Sequence, residues 1–205
     1  QVRAPWLLAL GGAGGLAVLS LLAYQPFGQW YRQGYSSIEL WVGTHTPSSS
    51  YIIHWGIFLF FIVAWLAWET RQWMASTPVS SLRKLEKYSA AIIISLAFLL
   101  SVAFLLAGME VYVTWLVLPL LVWVGLLFFR PGQDEVKRLV FFMIGTGLFL
   151  TLIVEVIRLA GDVSRMNTVF KFYMQAWVLL ALGAALALAW TVDTICQWQP
   201  SWRGT

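Results

Sequence analysis

Residues 89–107 read SAAIIISLAFLLSVAFLLA, nineteen consecutive positions without a charge. At 1.5 Å per residue an α-helix of that length covers about 28 Å, close to the ~30 Å of a bilayer's hydrocarbon core. A soluble protein can bury one such helix. Here the pattern recurs along the chain, at about Pro5–Tyr24, Tyr51–Trp68, Ser89–Ala107, Val111–Phe129, Leu139–Ile157 and Phe172–Val192. The expectation is an all-α fold, a polytopic transmembrane helical bundle of about six spans. With no internal repeat or low-complexity linker, residues 1–205 read as a single transmembrane domain.

Composition points the same way. The chain is 60% hydrophobic and 11% charged, against about 25% charged in an average soluble domain. Trp and Tyr gather where the spans should end, among them Trp6, Tyr24, Trp41, Tyr51, Trp68, Trp73, Tyr88, Trp190 and Trp198, as in the aromatic belts of membrane interfaces. Gly11, Gly12, Gly14 and Gly15 would weaken a soluble helix but allow close helix packing in a bilayer. Pro119 should kink the fourth span or be tolerated there through neighbouring contacts.

The net charge of +4 does not indicate nucleic-acid binding, because the basic residues are scattered through short loops. Alternating spans place nine of the thirteen Lys and Arg residues on one side. By the positive-inside rule that side, with both termini, is cytoplasmic, and the chain sits in the cell membrane. The loops 25–50 and 160–168 then face outward. Cys196 is the one cysteine, so neither an intrachain disulfide nor a thiolate metal cluster can form.

Chemistry concentrates where the fifth span closes and the sixth opens, in EVIRLAGDVSRMNTVFKFYMQAW, residues 155–177. If helix continues through Arg165, then Glu155, Arg158, Asp162 and Arg165 share one face with alternating charge; Gly161 is the place where that helix would break. Asn167, Lys171 and Gln175 repeat every four residues on the next helix. Ionisable groups at membrane depth are costly and usually line a bundle interior or a wet cavity. Two readings follow. One is a pocket for a phosphate-bearing group held by Arg158, Arg165 and Lys171, with Asp162, Asn167 and Gln175 as further substrate contacts and Glu155 as support. The other is a salt-bridge ladder pinning two helices. A second polar cluster, Thr44-His45-Thr46-Pro47, adds Thr44 and His45 as supporting candidates. Glu39 is a weaker candidate base, and Glu110 caps a tight turn. His54, inside the second span, has the chemistry to ligate a haem or chlorophyll, although such a histidine more often hydrogen-bonds a neighbouring helix. No carboxylate or histidine spacing indicates a metal site, and no cofactor is assigned.

The strings Arg165-Met-Asn-Thr-Val-Phe-Lys-Phe-Tyr173 with Gln175-Ala-Trp177, and Trp41-Val-Gly-Thr-His-Thr-Pro47 leading to Gly56-Ile-Phe-Leu-Phe60, resemble the YYY-type membrane proteins. These are large polytopic proteins classed as a domain of unknown function. In that family an arginine often precedes the Thr-Pro element, where this chain has His45. The resemblance implies that the chain is the C-terminal part of a longer protein. The family is similar to polytopic glycosyltransferases with polyprenyl-phosphate sugar donors, whose catalytic acid lies in a first external loop; that loop would precede Gln1. The implied role is part of the donor pocket of such an enzyme at the extracytoplasmic face. The competing expectations are a non-catalytic integral subunit of a larger complex, such as a pigment- or haem-containing one, and a lipid-substrate transporter, which the lack of an inverted repeat and of a broken helix at mid-membrane disfavours. Expected partners are membrane lipids, a polyprenyl-phosphate donor and other membrane subunits.

The orientation is testable in a Cys196→Ser background. A Ser81→Cys variant should react with an impermeant maleimide in inside-out vesicles and stay unlabelled in intact cells. Labelling from outside intact cells overturns the topology.

Overall fold

A computed structural model describes residues 5–30, 37–78 and 86–197. Expectations resting on Arg3, Arg32, Ser81, Arg83, Lys84, Trp198 and Arg203, and on the Trp6 side chain, lie outside the described residues. The chain forms two compact units, residues 1–37 and 38–205. In the first, α1 spans Pro5–Trp30, six residues beyond the expected Tyr24. Nothing lies within 4 Å of a side chain added at its Gly11, Gly12, Gly14 or Gly15.

The second unit runs β1 (Ile38–Leu40), α2 (Ser48–Ser76), α3 (Ser89–Gly108), α4 (Thr114–Phe128), α5 (Glu135–Ile153), β2 (Ile157–Leu159) and α6 (Met166–Gln197). Among the described residues, five helices, α1 included, are long and apolar enough to cross a membrane, and α4 is shorter. The protein is therefore an α-helical, multi-pass membrane protein. At 15 residues, α4 covers only about 22 Å. The expected span began at Val111, but residues 109–113 form a turn instead. Val111 and Val113 are buried there, and Glu110 has a left-handed φ of 66°. Irregular backbone near a bilayer is tolerated where protein covers it and its polar groups are paired. Here Glu110 N–H donates to Ala107 O, and Val111 N–H to Leu106 O, each at 2.9 Å.

The core is built by α2, α5 and α6, with α4 against α5. From α2 come Tyr51, Trp55, Leu59, Ile62, Trp65 and Leu66, one helical face; from α5, Phe141, Ile144 and Leu148. Trp65 stacks on Phe141 with ring centroids 4.6 Å apart. The α6 side is small: Ala176, Leu180, Gly183, Ala184 and Ala187 are all buried. In lipid, where apolar burial gives no gain between helices, such residues let backbones approach and dispersion act. The approach is close. A Cβ at Gly147 would lie 2.8 Å from Leu180 Cγ, and one at Gly183 would lie 2.6 Å from Ile144 Cγ1. Position 147 meets 180 while 144 meets 183, so α5 and α6 run antiparallel.

The ends of the bundle differ. At the end holding the α2 C-terminus and the α5 N-terminus, buried Glu69 accepts from Lys137 Nζ, and Trp123 Nε1–H donates to Thr70 Oγ1 at 2.8 Å. These contacts tie α2 to α5 and α4. The opposite end carries the two short strands.

Gly183→Leu should force α5 and α6 apart and cost about 1–3 kcal/mol by overpacking. Gly125→Ala, which has nothing within 4 Å, should leave thermal unfolding of the purified protein unchanged or slightly raised. Equal transition temperatures for Gly183→Leu and the parent would remove the close approach as a determinant of the fold.

Candidate functional site

Helix α5 stops at Ile153, four residues before the expected Ile157. The single-faced ladder Glu155–Arg158–Asp162–Arg165 therefore does not form. Instead residues 157–159 pair with residues 38–40 as antiparallel strands, Glu39 opposite Arg158. The carbonyls just past the helix end have partners from other segments. Arg165 NH1 donates to Val154 O at 2.9 Å, a cation at a helix C-terminus. Trp41 N–H donates to Val156 O at 2.8 Å.

Glu155 is the centre of what results. It has no exposed surface, and both carboxylate oxygens are engaged. Arg165 NH1 lies 2.9 Å from Oε2. The Thr46 N–H donates to Oε2 at 3.0 Å, and the Thr46 hydroxyl donates to Oε1 at 2.6 Å. His45 Nδ1 is 3.5 Å from Oε2. Arg165 NH2 reaches back to Thr46 Oγ1 at 3.2 Å. A buried carboxylate requires this kind of charge pairing and hydrogen bonding. The groups that supply it come from segments more than a hundred residues apart.

Trp41 completes the cluster. Strand alternation turns Glu39 and Trp41 to the same side, and the guanidinium carbons of Arg158 and Arg165 lie 5.8 and 5.6 Å from the Trp41 ring. Such cation–π contacts strengthen when shielded from water. Arg158 also pairs with Glu39, NH2 to Oε2 at 2.9 Å, both side chains partly exposed.

Asp162 has a separate task. Gly161 and Ser164, with φ of 88° and 61°, turn the chain so that the Asp162 carboxylate faces the first turn of α6. It accepts from Asn167 N–H at 3.0 Å and from the N–H and hydroxyl of Thr168, each at 2.7 Å. Desolvation pushes the Asp162 carboxyl up, but the bonds from Thr168 and Asn167 outweigh it and hold the group below the ordinary carboxylate range. A carboxylate at a helix start is favoured by the unsatisfied amides and by the dipole.

The structure thus brings together Glu155, Arg165 and His45, with Arg158 alongside. Thr44 contributes its carbonyl, which accepts from Trp41 Nε1–H at 3.1 Å. Asn167, Lys171 and Gln175 are exposed on α6, away from the cluster's closed interior. From the sequence Trp41 read only as part of the aromatic belt, Thr46 only as a member of a polar cluster, and Glu39 only as a weak base. The opposite charges of Glu39 and Arg158 were a usable signal, but no local periodicity links them. The Tyr173 hydroxyl is buried, in a polar environment made by Thr46, Trp55, Glu155 and Arg165. Among the described residues, no group of three or more His, Cys, Asp or Glu side chains is placed to hold a metal ion.

Fold and site together define a polytopic helical membrane protein with a buried ionic cluster at one end of its bundle. A model of the family described as uncharacterized membrane protein (DUF2298) matches residues 2–180, and the chain belongs to that family. No curated protein and no solved structure matches it.

Removing one partner of a buried ion pair leaves a charge stranded and costs roughly 3–5 kcal/mol. Arg165→Met should therefore destabilise the purified protein by about that much, while Arg158→Met, at an exposed pair, should cost below about 1 kcal/mol. Equal thermal shifts would contradict the burial of Glu155. Asp162 acts on the acid limb. The stability it lends is whole above the ordinary carboxylate pKa, about 3.9, and is lost as pH falls through its lowered folded value. Asp162→Ala should cost about 1 kcal/mol at neutral pH and flatten that limb of the thermal stability profile.

Proposed function

We propose that this chain is part of a polyprenyl-phosphate-dependent glycosyltransferase, with its donor pocket at the extracytoplasmic face. The observation that carries the reading is the division of labour at the strand-bearing end. Glu39, Glu155 and Asp162 hold Arg158, Arg165 and the start of α6 in place. Asn167, Lys171 and Gln175 form an exposed polar stripe on the helix so anchored. A lipid phosphate meets a membrane protein at that level, and lysine binds phosphate as a compact point charge. Arg165 is enclosed by Glu155, Val154 and Thr46, so it supports the site from within, and the headgroup contact falls to Lys171 and Asn167. The basic bias of the opposite side supports the outward placement, and the resemblance of residues 165–177 to a glycosyltransferase-like family supports the reaction class. No residue of this chain is assigned the catalytic step.

The second reading is a non-catalytic integral subunit of a larger complex. It is favoured by the closure of the Arg165–Glu155 pair, which together with Thr46 joins the loop before α2 to the start of α6.

Polyprenyl phosphate binding to the purified chain separates the two. Lys171→Ala should weaken binding about tenfold, the loss of one charged contact of roughly 1.5 kcal/mol, with the melting temperature preserved. Wild type that fails to bind, or a variant that binds equally well, leaves the subunit reading standing.

A further inference from the structure

Below the ionic cluster, α2 and α6 leave a groove of ≈ 380 Å³, walled by His54 of α2 and by Met166, Phe170, Tyr173, Met174 and Trp177 of α6. Other grooves face outward from the bundle. One between α4 and α5 is lined by Leu121, Phe129, Phe142 and Phe149, without an ionisable group. Lipid chains satisfy a surface of that kind. The α2/α6 groove differs because it contains an imidazole. His54 is exposed, and among the described residues it makes ring contacts to Trp55 and Tyr173, at 4.6 and 5.9 Å between centroids, and no hydrogen bond. It lies about 9 Å along α2 from Ser48. A donor at that depth facing hydrocarbon goes unsatisfied unless an occupant accepts from it.

Depth also limits the occupant. Helices α2 and α6 begin at the same end of the bundle. Lys171 stands about 7.5 Å along α6 from Met166, level with His54 and two residues before its ring partner Tyr173. Lys171 is not among the residues that line the groove, whose apolar wall continues past His54 to Trp177. The Tyr173 ring lines the groove, while its hydroxyl is buried on the side of Glu155 and Arg165. That one side chain separates groove from cluster. The two flexible thioethers suit a chain without a fixed shape.

We propose that this groove seats the hydrocarbon chain of a single-chain lipid phosphate, with His54 donating to the phosphate. The inference rests on the lipid-linked donor reading and adds to it the place of the tail and the role of His54.

The test uses the purified full chain in detergent and radiolabelled farnesyl phosphate as the probe. His54→Leu, which removes the donor, and Val169→Trp, which enlarges a further residue lining the groove and so fills it, should each weaken binding at least tenfold. His54→Asn, which keeps a donor, should fall between His54→Leu and wild type. Phe142→Trp, in the α4/α5 groove, should bind like wild type. Unlabelled farnesol and dioleoylphosphatidylglycerol should compete poorly. If Lys171→Ala loses binding while the folded His54→Leu and Val169→Trp proteins keep it, the groove is wrong and the donor reading survives. If wild type does not bind, both fail. If phosphatidylglycerol competes as well as unlabelled farnesyl phosphate, the groove holds ordinary bilayer lipid and the proposal is overturned.

Discussion

A carboxylate with no exposed surface constrains one whole end of this protein. Isolated in a medium of low dielectric, the charge of Glu155 would cost several kcal/mol. It is held because Arg165 pairs with it and Thr46 donates to both of its oxygens. Those partners sit on different segments, so the charge can be satisfied only if the loop before α2 and the loop before α6 converge. In the same convergence Arg165 and Trp41 take the carbonyls of Val154 and Val156, just past the end of α5. Strand pairing of Glu39 with Arg158, and the placing of Trp41 between two guanidiniums, follow from it.

The rest of the bundle depends on a different force. Among α2, α5 and α6 contact is made by shape, with glycines and alanines of α6 against the larger side chains of α2 and α5. The hydrophobic effect contributes little between helices already in lipid. That leaves the ionic ends to fix register. Glu69 with Lys137 at one end and Glu155 with Arg165 at the other tie α2 and its preceding loop to α5 and α6. A sliding of α5 along α6 would break the fit of Gly147 with Leu180 and of Gly183 with Ile144.

The helices were legible because the bilayer imposes length and apolarity on them, and both are local properties of sequence. Their ends were less so. Helix α6 begins six residues before the expected Phe172, since the polar stripe Asn167, Lys171 and Gln175 masks its first turns from a hydropathy reading. The fifth span was drawn through Ile157 because Val154, Val156 and Ile157 are apolar, and apolarity alone does not distinguish a helix end from a three-residue strand. The importance of the 155–171 stretch was visible, but its arrangement was not. Glu155 and Arg165 lie within one stretch, but Glu155 also takes Thr46 and Arg158 takes Glu39, partners separated by 109 and 119 residues, beyond the reach of any periodicity.

That arrangement changes what each charge can do. On an open helical ladder, Arg158 and Arg165 would be equivalent ligands for an anion. In the folded protein Arg165 is a buried strut, Arg158 is a partly exposed strap on Glu39, and Asp162 occupies the amides of the first turn of α6 that a phosphate would otherwise use. The start of α6 is therefore not an open anion site of the usual kind. What it provides is a fixed helix, anchored by three carboxylates above the membrane-facing wall of Phe170, Met174 and Trp177. Any ligand recognised there meets Asn167, Lys171 and Gln175 on one side and an apolar surface on the other, which is the polarity of an amphiphile rather than of a free anion.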